Sequence, residues 1–205
     1  MLTSIFKRIV HGICLIVTFP LALVACFGRF ETGFGIGAQT VALMPGLPGN
    51  YLRIAFYRMT LQQCPLNSRV DFGTFFAHPQ AIVGQGVYIG AYCVLGRTKI
   101  GERTQIASSV QILSGGRQHG RDAEGHILGA ETGTFETVTV GADCWIGAGS
   151  IVMAEVGDGS TVGAGSVVVY PIPPGCVAVG SPARVVRPAV LPSEPAASGP
   201  SRVGD

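Results

Sequence analysis

Two of the chain's four histidines share one segment. His119 and His126 lie between Ile112 and Val140, in a run rich in glycine and charged residues. The unperturbed pKa of a histidine side chain lies near neutrality, so an imidazole can act as a general base at physiological pH. A histidine on a loop is more often simply solvated. Both are therefore candidates whose role depends on the structure that positions their segment.

The segment interrupts a repeat that extends over residues 83–169 with a period of about six. In each unit an aliphatic residue is followed by glycine or alanine, and the fourth position after the aliphatic residue holds a small or medium-sized side chain. The aliphatic positions include Val83, Ile89, Ile100, Ile106, Val140, Ile146, Val156 and Val162. The small positions are Val87, Cys93, Thr104, Val110, Cys144, Ser150, Ser160 and Ser166.

This period indicates a solenoid. A chain that makes a short strand and a corner every six residues stacks three strands into a triangular coil, and successive coils pair through backbone hydrogen bonds. The alternative is a β-sandwich, but sandwich strands recur at about 8–12 residues and alternate polar with apolar positions. We predict an all-β solenoid, a parallel β-helix. The segment between Ile112 and Val140 cannot lie inside it and must project as a loop, and such loops often carry function.

Four motifs give residues 76–187 a family resemblance. They are the Gly-Ala-Gly-Ser runs at Gly147 and Gly163, the run Ile172-Pro173-Pro174, and the run Gly180-Ser181-Pro182-Ala183-Arg184. The chain resembles the hexapeptide-repeat acyltransferases, in particular the branch of galactoside, maltose and xenobiotic O-acetyltransferases. The resemblance implies a left-handed β-helix, a homotrimer, and acetyl-CoA as co-substrate.

The resemblance also implies roles for individual residues. In that branch the catalytic histidine lies on a loop at this point of the repeat, which selects His119 as the general base over its rival His126. Trp145 is then expected beside the acceptor site between subunits, together with Arg117 and Gln118 of the loop. The coenzyme is expected to contact the backbone of Ala148 and Ala164 and the side chains of Arg184 and Arg187.

Two departures from the family pattern concern the coenzyme site. Val169-Tyr170-Pro171 stands where relatives commonly place Thr-Lys before Ile-Pro-Pro, which removes a cation and a hydroxyl. One coil is shortened, because Ile146 and Val156 are ten residues apart where two hexads need twelve. Glu124, Asp122 or a loop carbonyl could orient the His119 ring, and the sequence does not choose among them.

Composition narrows the function classes. The formal net charge of +2 and the absence of a basic run with interleaved aromatic residues argue against nucleic-acid binding. The six cysteines include no Cys-x-x-Cys pair, so we predict neither a metal site nor a redox pair. Cys93 and Cys144 fall on inward small positions, and a reducing compartment is the simplest interpretation.

Residues 1–30 are expected to associate with a membrane. Residues 9–27 contain no charged side chain and approach the ~20 residues that span a bilayer core. A cleaved signal peptide, a single span, and a helix broken at Pro20 that re-enters remain open, and we favour an anchor. Lys7, Arg8 and Arg29 flank the segment on both sides, so topology is undecided. We expect the cytoplasmic face of the cell membrane, or the cytoplasm if the segment does not insert.

The remaining chain divides into three parts. Residues 31–69 are expected to form a Gly- and Pro-rich loop and then a helix with its apolar face on the solenoid, or an interfacial helix whose Arg53 and Arg58 meet anionic lipid headgroups. Residues 70–187 form the repeat domain, in which residues 70–76 supply the end cap and His78 is structural. Residues 188–205 show no apolar period and are expected to be disordered.

Two function classes follow. The first is an O-acetyltransferase that moves an acetyl group from acetyl-CoA to a sugar hydroxyl, in surface-polysaccharide or glycolipid biosynthesis. The second is a non-catalytic β-helical scaffold or binding protein. A γ-type carbonic anhydrase ranks last, because His119 and His126 lack the required spacing. We exclude a serine acetyltransferase because no histidine lies near Ile89, where its early catalytic histidine is expected.

Overall fold

The computed structural model describes residues 2–116, 118–129 and 132–188. Most strands are two residues long, with an outward residue followed by a buried aliphatic or aromatic one. The strands are β1 (Arg69–Val70), β2 (Phe75–Phe76), β3 (Ile82–Val83), β4 (Tyr88–Ile89), β5 (Val94–Leu95), β6 (Thr98–Ile100), β7 (Gln105–Ile106), β8 (Gln111–Ile112), β9 (Val138–Val140), β10 (Trp145–Ile146), β11 (Ile151–Val152), β12 (Thr161–Val162), β13 (Val167–Val168), β14 (Cys176–Val179) and β15 (Arg184–Pro188).

The strands form three sheets, and successive strands along the chain belong to these sheets in turn. Sheet one has the order β1-β4-β7-β10-β12-β14-β15, sheet two has β13-β11-β8-β5-β2, and sheet three has β3-β6-β9. All pairs are parallel except β14 with β15, which lies antiparallel across the end of sheet one. The shortened coil extends sheet three only through single bridges of Val156 to Val140 and to Ile172. The predicted all-β class, with parallel strands and an N-terminal helical segment, is confirmed.

The predicted inward positions form the core. The aliphatic residues of the hexads and the small residues that follow them are all at most 2% exposed. Where the small inward residue is polar, its hydroxyl group donates a hydrogen bond to a backbone carbonyl of the next coil. Thr104 Oγ1 donates to the Gly141 carbonyl at 2.6 Å, and Ser150 Oγ donates to the Gly163 carbonyl at 3.0 Å. Cys93 and Cys144 are buried in the same way, as predicted.

Three helices precede the sheets: α1 (Leu2–Val24), α2 (Glu31–Ala42) and α3 (Gly46–Thr60), with a 3₁₀ turn over Cys26–Gly28. The prediction of a loop at residues 33–37 was wrong, because α2 passes through them. Its glycines allow close helix packing: a Cβ on Gly33 would lie 2.4 Å from the Val24 carbonyl oxygen, and one on Gly37 would lie 2.5 Å from the Phe56 ring.

The helices cover the first coil. Phe34, Phe56 and Tyr57 are fully buried, and the Tyr57 ring packs edge-on against Phe76 at 5.0 Å. Burial raises the pKa of the Tyr57 hydroxyl, which accepts the Phe76 backbone amide at 3.4 Å. The prediction that residues 70–76 form the cap was wrong in detail: they supply strands β1 and β2, and α2 and α3 provide the cap.

Arg53 does not face a membrane surface. Of the two alternatives for this helix, the one in which Arg53 meets lipid headgroups is wrong for this residue, because its side chain is fully buried between α3, the C-terminal end of α2 and β1. Its guanidinium donates to the carbonyls of Val70 at 2.8 Å, Val41 at 3.1 Å and Met44 at 2.7 Å. Burial lowers the pKa of the guanidinium from its ordinary value. Arg58, by contrast, is exposed.

Candidate active site

The interruption of the repeat is a projecting loop, as predicted. It leaves sheet two after β8 and rejoins the core at β9 in sheet three. At its neck the Glu136 amide donates to the Ser114 carbonyl at 2.9 Å, and further out the Leu128 amide donates to the Gly120 carbonyl at 2.9 Å. These bonds fold the described part of the loop back on itself, so the two arms hold one another.

The base of the loop is fixed by an aromatic contact. The centroid of the Phe135 ring lies 5.3 Å from that of the His78 ring, and the Arg97 guanidinium lies over the Phe135 ring, 5.3 Å from its centroid. Burial lowers the pKa of His78, the Arg97 charge lowers it further, and Glu31 opposes both. His78 therefore packs against the loop, which agrees with the predicted structural role.

His119 lies on the outgoing arm with its ring held by the returning arm. Its Nδ1 is 3.1 Å from the Leu128 carbonyl oxygen. A carbonyl oxygen can only accept a hydrogen bond, so Nδ1 carries the proton and Nε2 of the neutral ring keeps its lone pair. The side chain is exposed, which leaves Nε2 accessible to a substrate. Of the three orienting groups that the sequence left open, the structure selects a loop carbonyl.

The rival histidine has a carboxylate partner. His126 Nδ1 lies 3.0 Å from Asp122 Oδ2, and the His126 amide donates to the other carboxylate oxygen at 2.8 Å. Desolvation acts to raise the pKa of Asp122, but the hydrogen bonds from His126 and from nearby amides outweigh it and lower the pKa. This pair lies at the tip of the loop, beyond the hydrogen bond between the Leu128 amide and the Gly120 carbonyl. His119 lies on the other side of that bond, nearer the neck.

The same turn brings three potential metal ligands together. One ligand atom each of Asp122, Glu124 and His126 lies within 4.8 Å of the others. All three belong to a solvent-facing turn, and no further ligand from the described residues joins them.

The other two loop residues predicted at the acceptor site have different outcomes. The Gln118 side chain donates from Nε2 to the Gly115 carbonyl at 3.1 Å, so its amide nitrogen stabilises the loop. Arg117 lies outside the described residues.

Trp145 is on the outer surface of sheet one. It is 55% exposed and pairs in register with Gln105 of β7 and Thr161 of β12. The loop leaves from a different corner of the coil, and the described residues include no hydrogen bond or ring contact between Trp145 and the loop. One chain therefore does not bring Trp145 and His119 together.

Ala148 and Ala164 occupy equivalent corners on successive coils. Both are exposed, and the Ala148 carbonyl accepts the Gly165 amide at 2.8 Å. Within the described residues neither alanine amide donates to another protein group. A ligand that runs along this corner can therefore accept hydrogen bonds from two stacked backbone donors.

Arg184 forms a contact that the sequence analysis missed. Its guanidinium lies 5.4 Å from the ring centroid of Tyr170, and Tyr170 is 62% exposed. Arg187 lies on the same exposed strand, β15, paired with Val177. The end of sheet one thus presents two arginines and an aromatic ring to solvent.

The three sheets are built from six-residue units, and the loop that projects from them carries a candidate general base. A family model for the hexapeptide repeat of succinyl-transferase matches residues 137–170. The serine acetyltransferase of Escherichia coli (strain K12) is 35% identical over 116 residues, which are 53% of this chain and 37% of that protein. The chain thus covers less than half the length of this curated relative.

Two solved structures show the same fold. The maltose O-acetyltransferase from Clostridium difficile 630 has a TM-score of 0.64 at 24% identity and covers 78% of this chain and 88% of its own. A galactoside acetyltransferase in complex with coenzyme A has a TM-score of 0.62 at 20% identity, with coverages of 78% and 83%.

The predicted resemblance to the hexapeptide-repeat acyltransferases is confirmed by the repeat model and by these folds. The sequence relatives also include serine acetyltransferases, the group excluded from the position of one histidine. No histidine lies near Ile89 in this chain, although its sequence relatives include serine acetyltransferases.

Proposed function

We propose that the chain is an acetyl-CoA-dependent O-acetyltransferase that acetylates a sugar hydroxyl, with His119 as the general base. The observation that carries the proposal is the Leu128 carbonyl on Nδ1 of His119, 3.1 Å away. It fixes the tautomer in which Nε2 can accept a proton, which is what attack by a hydroxyl on a thioester requires. The acetyltransferases among the similar proteins support the reaction class.

The reaction is a direct transfer. Nε2 of His119 removes the proton from the acceptor hydroxyl as its oxygen attacks the carbonyl carbon of the acetyl thioester. The carbon–sulfur bond then breaks, and the imidazolium returns the proton to the leaving thiolate. The histidine is thus unchanged after each turnover, and removing such a base typically lowers the rate ~10²- to 10⁴-fold.

The coenzyme is proposed to lie along the alanine corner. The amides of Ala148 and Ala164 would donate to the carbonyl oxygens of the pantetheine arm. The guanidinium groups of Arg184 and Arg187 suit phosphate oxygens through their planar fork of donors. Tyr170 would add an exposed ring beside Arg184 on which the coenzyme can stack.

The acceptor is proposed to be a sugar of a surface polysaccharide or glycolipid. The names of the structural neighbours, maltose and galactoside acetyltransferases, support a sugar hydroxyl. The serine acetyltransferase relatives favour a second candidate, the hydroxyl of serine. The same base and the same chemistry would serve either acceptor, and turnover measured with sugars and with L-serine distinguishes the two.

The assembly is proposed to be a homotrimer of left-handed coils. Trp145 and the His119 loop lie on different sheets of one chain, so a site that uses both needs the loop of one subunit beside the Trp145 face of another. The exposure of Trp145 supports a surface of this kind.

The membrane contact is proposed to be made by α1. Residues Phe6–Val24 are long and apolar enough to cross a bilayer by length and composition, with only 17% of the window buried. The buried stripe of α1 consists of small residues, whereas its outward positions carry Phe6, Ile9, Ile13 and Ile16, each more than half exposed. All six cysteines are unpaired, which fits a catalytic domain on the cytoplasmic face.

The test is release of free thiol from acetyl-CoA by the full chain in detergent or native membranes. The acceptors are a panel of sugars, lipid-linked sugars and L-serine, and the variants are His119→Ala and the matched His126→Ala on the same loop. We expect turnover with a sugar acceptor that falls ~10²-fold or more in His119→Ala only. Turnover with L-serine alone would shift the assignment to the second candidate. Failure to bind acetyl-CoA and to turn over any acceptor would favour a scaffold.

A further inference from the structure

A groove runs between α1 and α3. Its first section is a cavity of about 890 Å³, lined by the N-terminal halves of both helices and by the segment that enters β1. Its second section, of about 520 Å³, is lined by Leu15, Ile16, Phe19 and Met59. Leu15 lines both sections, which follow one another along the same pair of helices.

The two sections differ in chemistry. The first is lined by Lys7, Arg8, His11 and Arg69, with no carboxylate among its lining residues. The Arg69 guanidinium is paired with Asp71 at 2.8 Å, whereas Lys7 and Arg8 have no ion-pair partner among the described residues. The lining of the second section is entirely apolar. The groove therefore has a cationic head end and an apolar tail end.

The neighbouring polar groups keep the head end positive. His11 Nδ1 donates to the Lys7 carbonyl at 2.8 Å, and the ring packs edge-on against Tyr51 at 5.0 Å. The Asn50 side chain, which also lines the cavity, donates to Asp71 and accepts from Arg53. Among the described residues, Asp71 is the only carboxylate bonded to the lining, and it accepts from Arg69, Asn50 and the Tyr88 hydroxyl, so it does not neutralise Lys7 or Arg8.

The dimensions fit one lipid molecule in one leaflet. From Lys7 to Phe19 the α1 axis rises about 18 Å at ~1.5 Å per residue. Half of the hydrocarbon core of a bilayer is about 15 Å thick. The outward face of α1 is apolar along the same length, so a chain in this groove would continue an apolar surface that already faces outward.

We propose that this groove binds one anionic phospholipid of the membrane, with its phosphate at Lys7 and Arg8 and one acyl chain along Leu15 and Phe19. The interaction combines apolar burial with attraction of basic side chains to an anionic headgroup. It moves the predicted lipid contact from Arg53, which is buried, to the α1 end of the groove. It is independent of the proposed acetyl transfer.

The test is native mass spectrometry of the full chain in detergent, titrated with dioleoylphosphatidylglycerol or dioleoylphosphatidylcholine. We expect one phosphatidylglycerol per chain and weaker binding of phosphatidylcholine. The double variant Lys7→Gln/Arg8→Gln should raise the dissociation constant for phosphatidylglycerol about 25-fold, since each basic residue at an anionic surface contributes roughly fivefold. The control Arg29→Gln/Arg58→Gln has the same loss of charge outside the groove and should change it less than about threefold.

A second pair of variants fills space without changing charge. Gly12 lines the head end, and a Cβ there would have no heavy atom within 4 Å, so Gly12→Phe places a ring in the groove. Gly35 on α2 is equally unobstructed but lies outside the groove, so Gly35→Phe is the control. Lipid should be lost from Gly12→Phe only. Equal affinity for the two lipids, equal losses in the control variants, or lipid retained in Gly12→Phe would overturn the proposal. If Gly12→Phe loses helical content, the charge variants decide alone.

Discussion

Replacing Arg53 is expected to destabilise the helical cap strongly. The variant Arg53→Met keeps much of the apolar stem and removes the guanidinium, which is fully buried and donates to backbone carbonyls of α2, the following turn and β1. A polar group that loses its partner while it stays buried costs about 1–3 kcal/mol. The expected loss therefore depends on how many carbonyls are left without a donor.

Two backbone carbonyls lose their donor in Arg53→Met, whereas the side-chain oxygen of Asn50, which also loses its bond from Arg53, lines the open cavity and can accept from water instead. The carbonyls of Val41 and Ala42 keep a second donor, the amides of Met44 at 3.2 Å and Gly73 at 2.9 Å. The carbonyls of Val70 and Met44 have no second donor among the described residues. Two unsatisfied acceptors at roughly 2 kcal/mol each give a loss of about 4 kcal/mol in the free energy of unfolding. For a chain of this size that corresponds to a decrease of about 8–16 °C in Tm.

Thermal and urea unfolding at fixed protein and detergent concentration, followed by far-UV circular dichroism, measure this loss. Arg53→Lys should recover about half of it, because lysine has donors but not the planar fork. The matched control is Arg58→Met on the exposed face of α3, which should stay within about 0.5 kcal/mol of the parent. A loss below about 1 kcal/mol in Arg53→Met would refute the reasoning, since it would mean that water reaches these carbonyls.

Three further predictions concern the candidate site. Gly133→Ala should lower turnover about 10²-fold with little change in folding, because its Cβ would lie 2.0 Å from the Gln118 carbonyl oxygen and so displace the neighbouring His119. The control is Gly116→Ala, whose Cβ would have no heavy atom within 4 Å, and equal activity of the two variants would contradict the loop geometry. Trp145→Ala should raise the KM for the acceptor about tenfold and leave the KM for acetyl-CoA unchanged, as steady-state kinetics would measure; an unchanged acceptor KM would remove Trp145 from the site. Arg184→Gln should raise the Kd for coenzyme A about tenfold in calorimetry, since it removes a charged donor near the phosphates, whereas the exposed Arg103→Gln should not; equal affinities would place the phosphates elsewhere.

The core of the repeat could be predicted because its period carries the structural information. Each hexad places one aliphatic side chain and one small side chain inside the coil, so Ile146 and Ser150 could be assigned inward positions from spacing alone. The position of the projecting loop followed in the same way, because residues that break the period cannot enter the narrow interior.

The N-terminal cap could not be predicted equally well. Glycine is a poor helix former, so residues 33–37 had the composition of a loop. In the structure α2 passes through both Gly33 and Gly37. Glycine is needed at these helical positions because Val24 and Phe56 pack too closely to leave room for a side chain. Arg53 was assigned to a surface because an arginine off the apolar stripe is usually solvated, and its partners come from α2, β1 and the intervening turn, which no local pattern indicates.

The orientation of His119 likewise required the folded loop. The Leu128 carbonyl is nine residues away and reaches Nδ1 only because the loop arms pair. The pairing of His126 with Asp122 joins residues only four apart, but the sequence analysis considered Asp122 only as a partner of His119. Arg184 over Tyr170 joins two segments that the motifs treat separately.

The most direct test of the proposed reaction separates catalysis by His119 from binding. The measurement is kcat for acetyl transfer at saturating acetyl-CoA and acceptor, together with the Kd for acetyl-CoA, in the parent chain and in His119→Ala and His126→Ala. We expect His119→Ala to lower kcat ~10²-fold or more with an unchanged Kd, and His126→Ala to stay close to the parent. A kcat retained in His119→Ala, or an equal loss in His126→Ala, would contradict it.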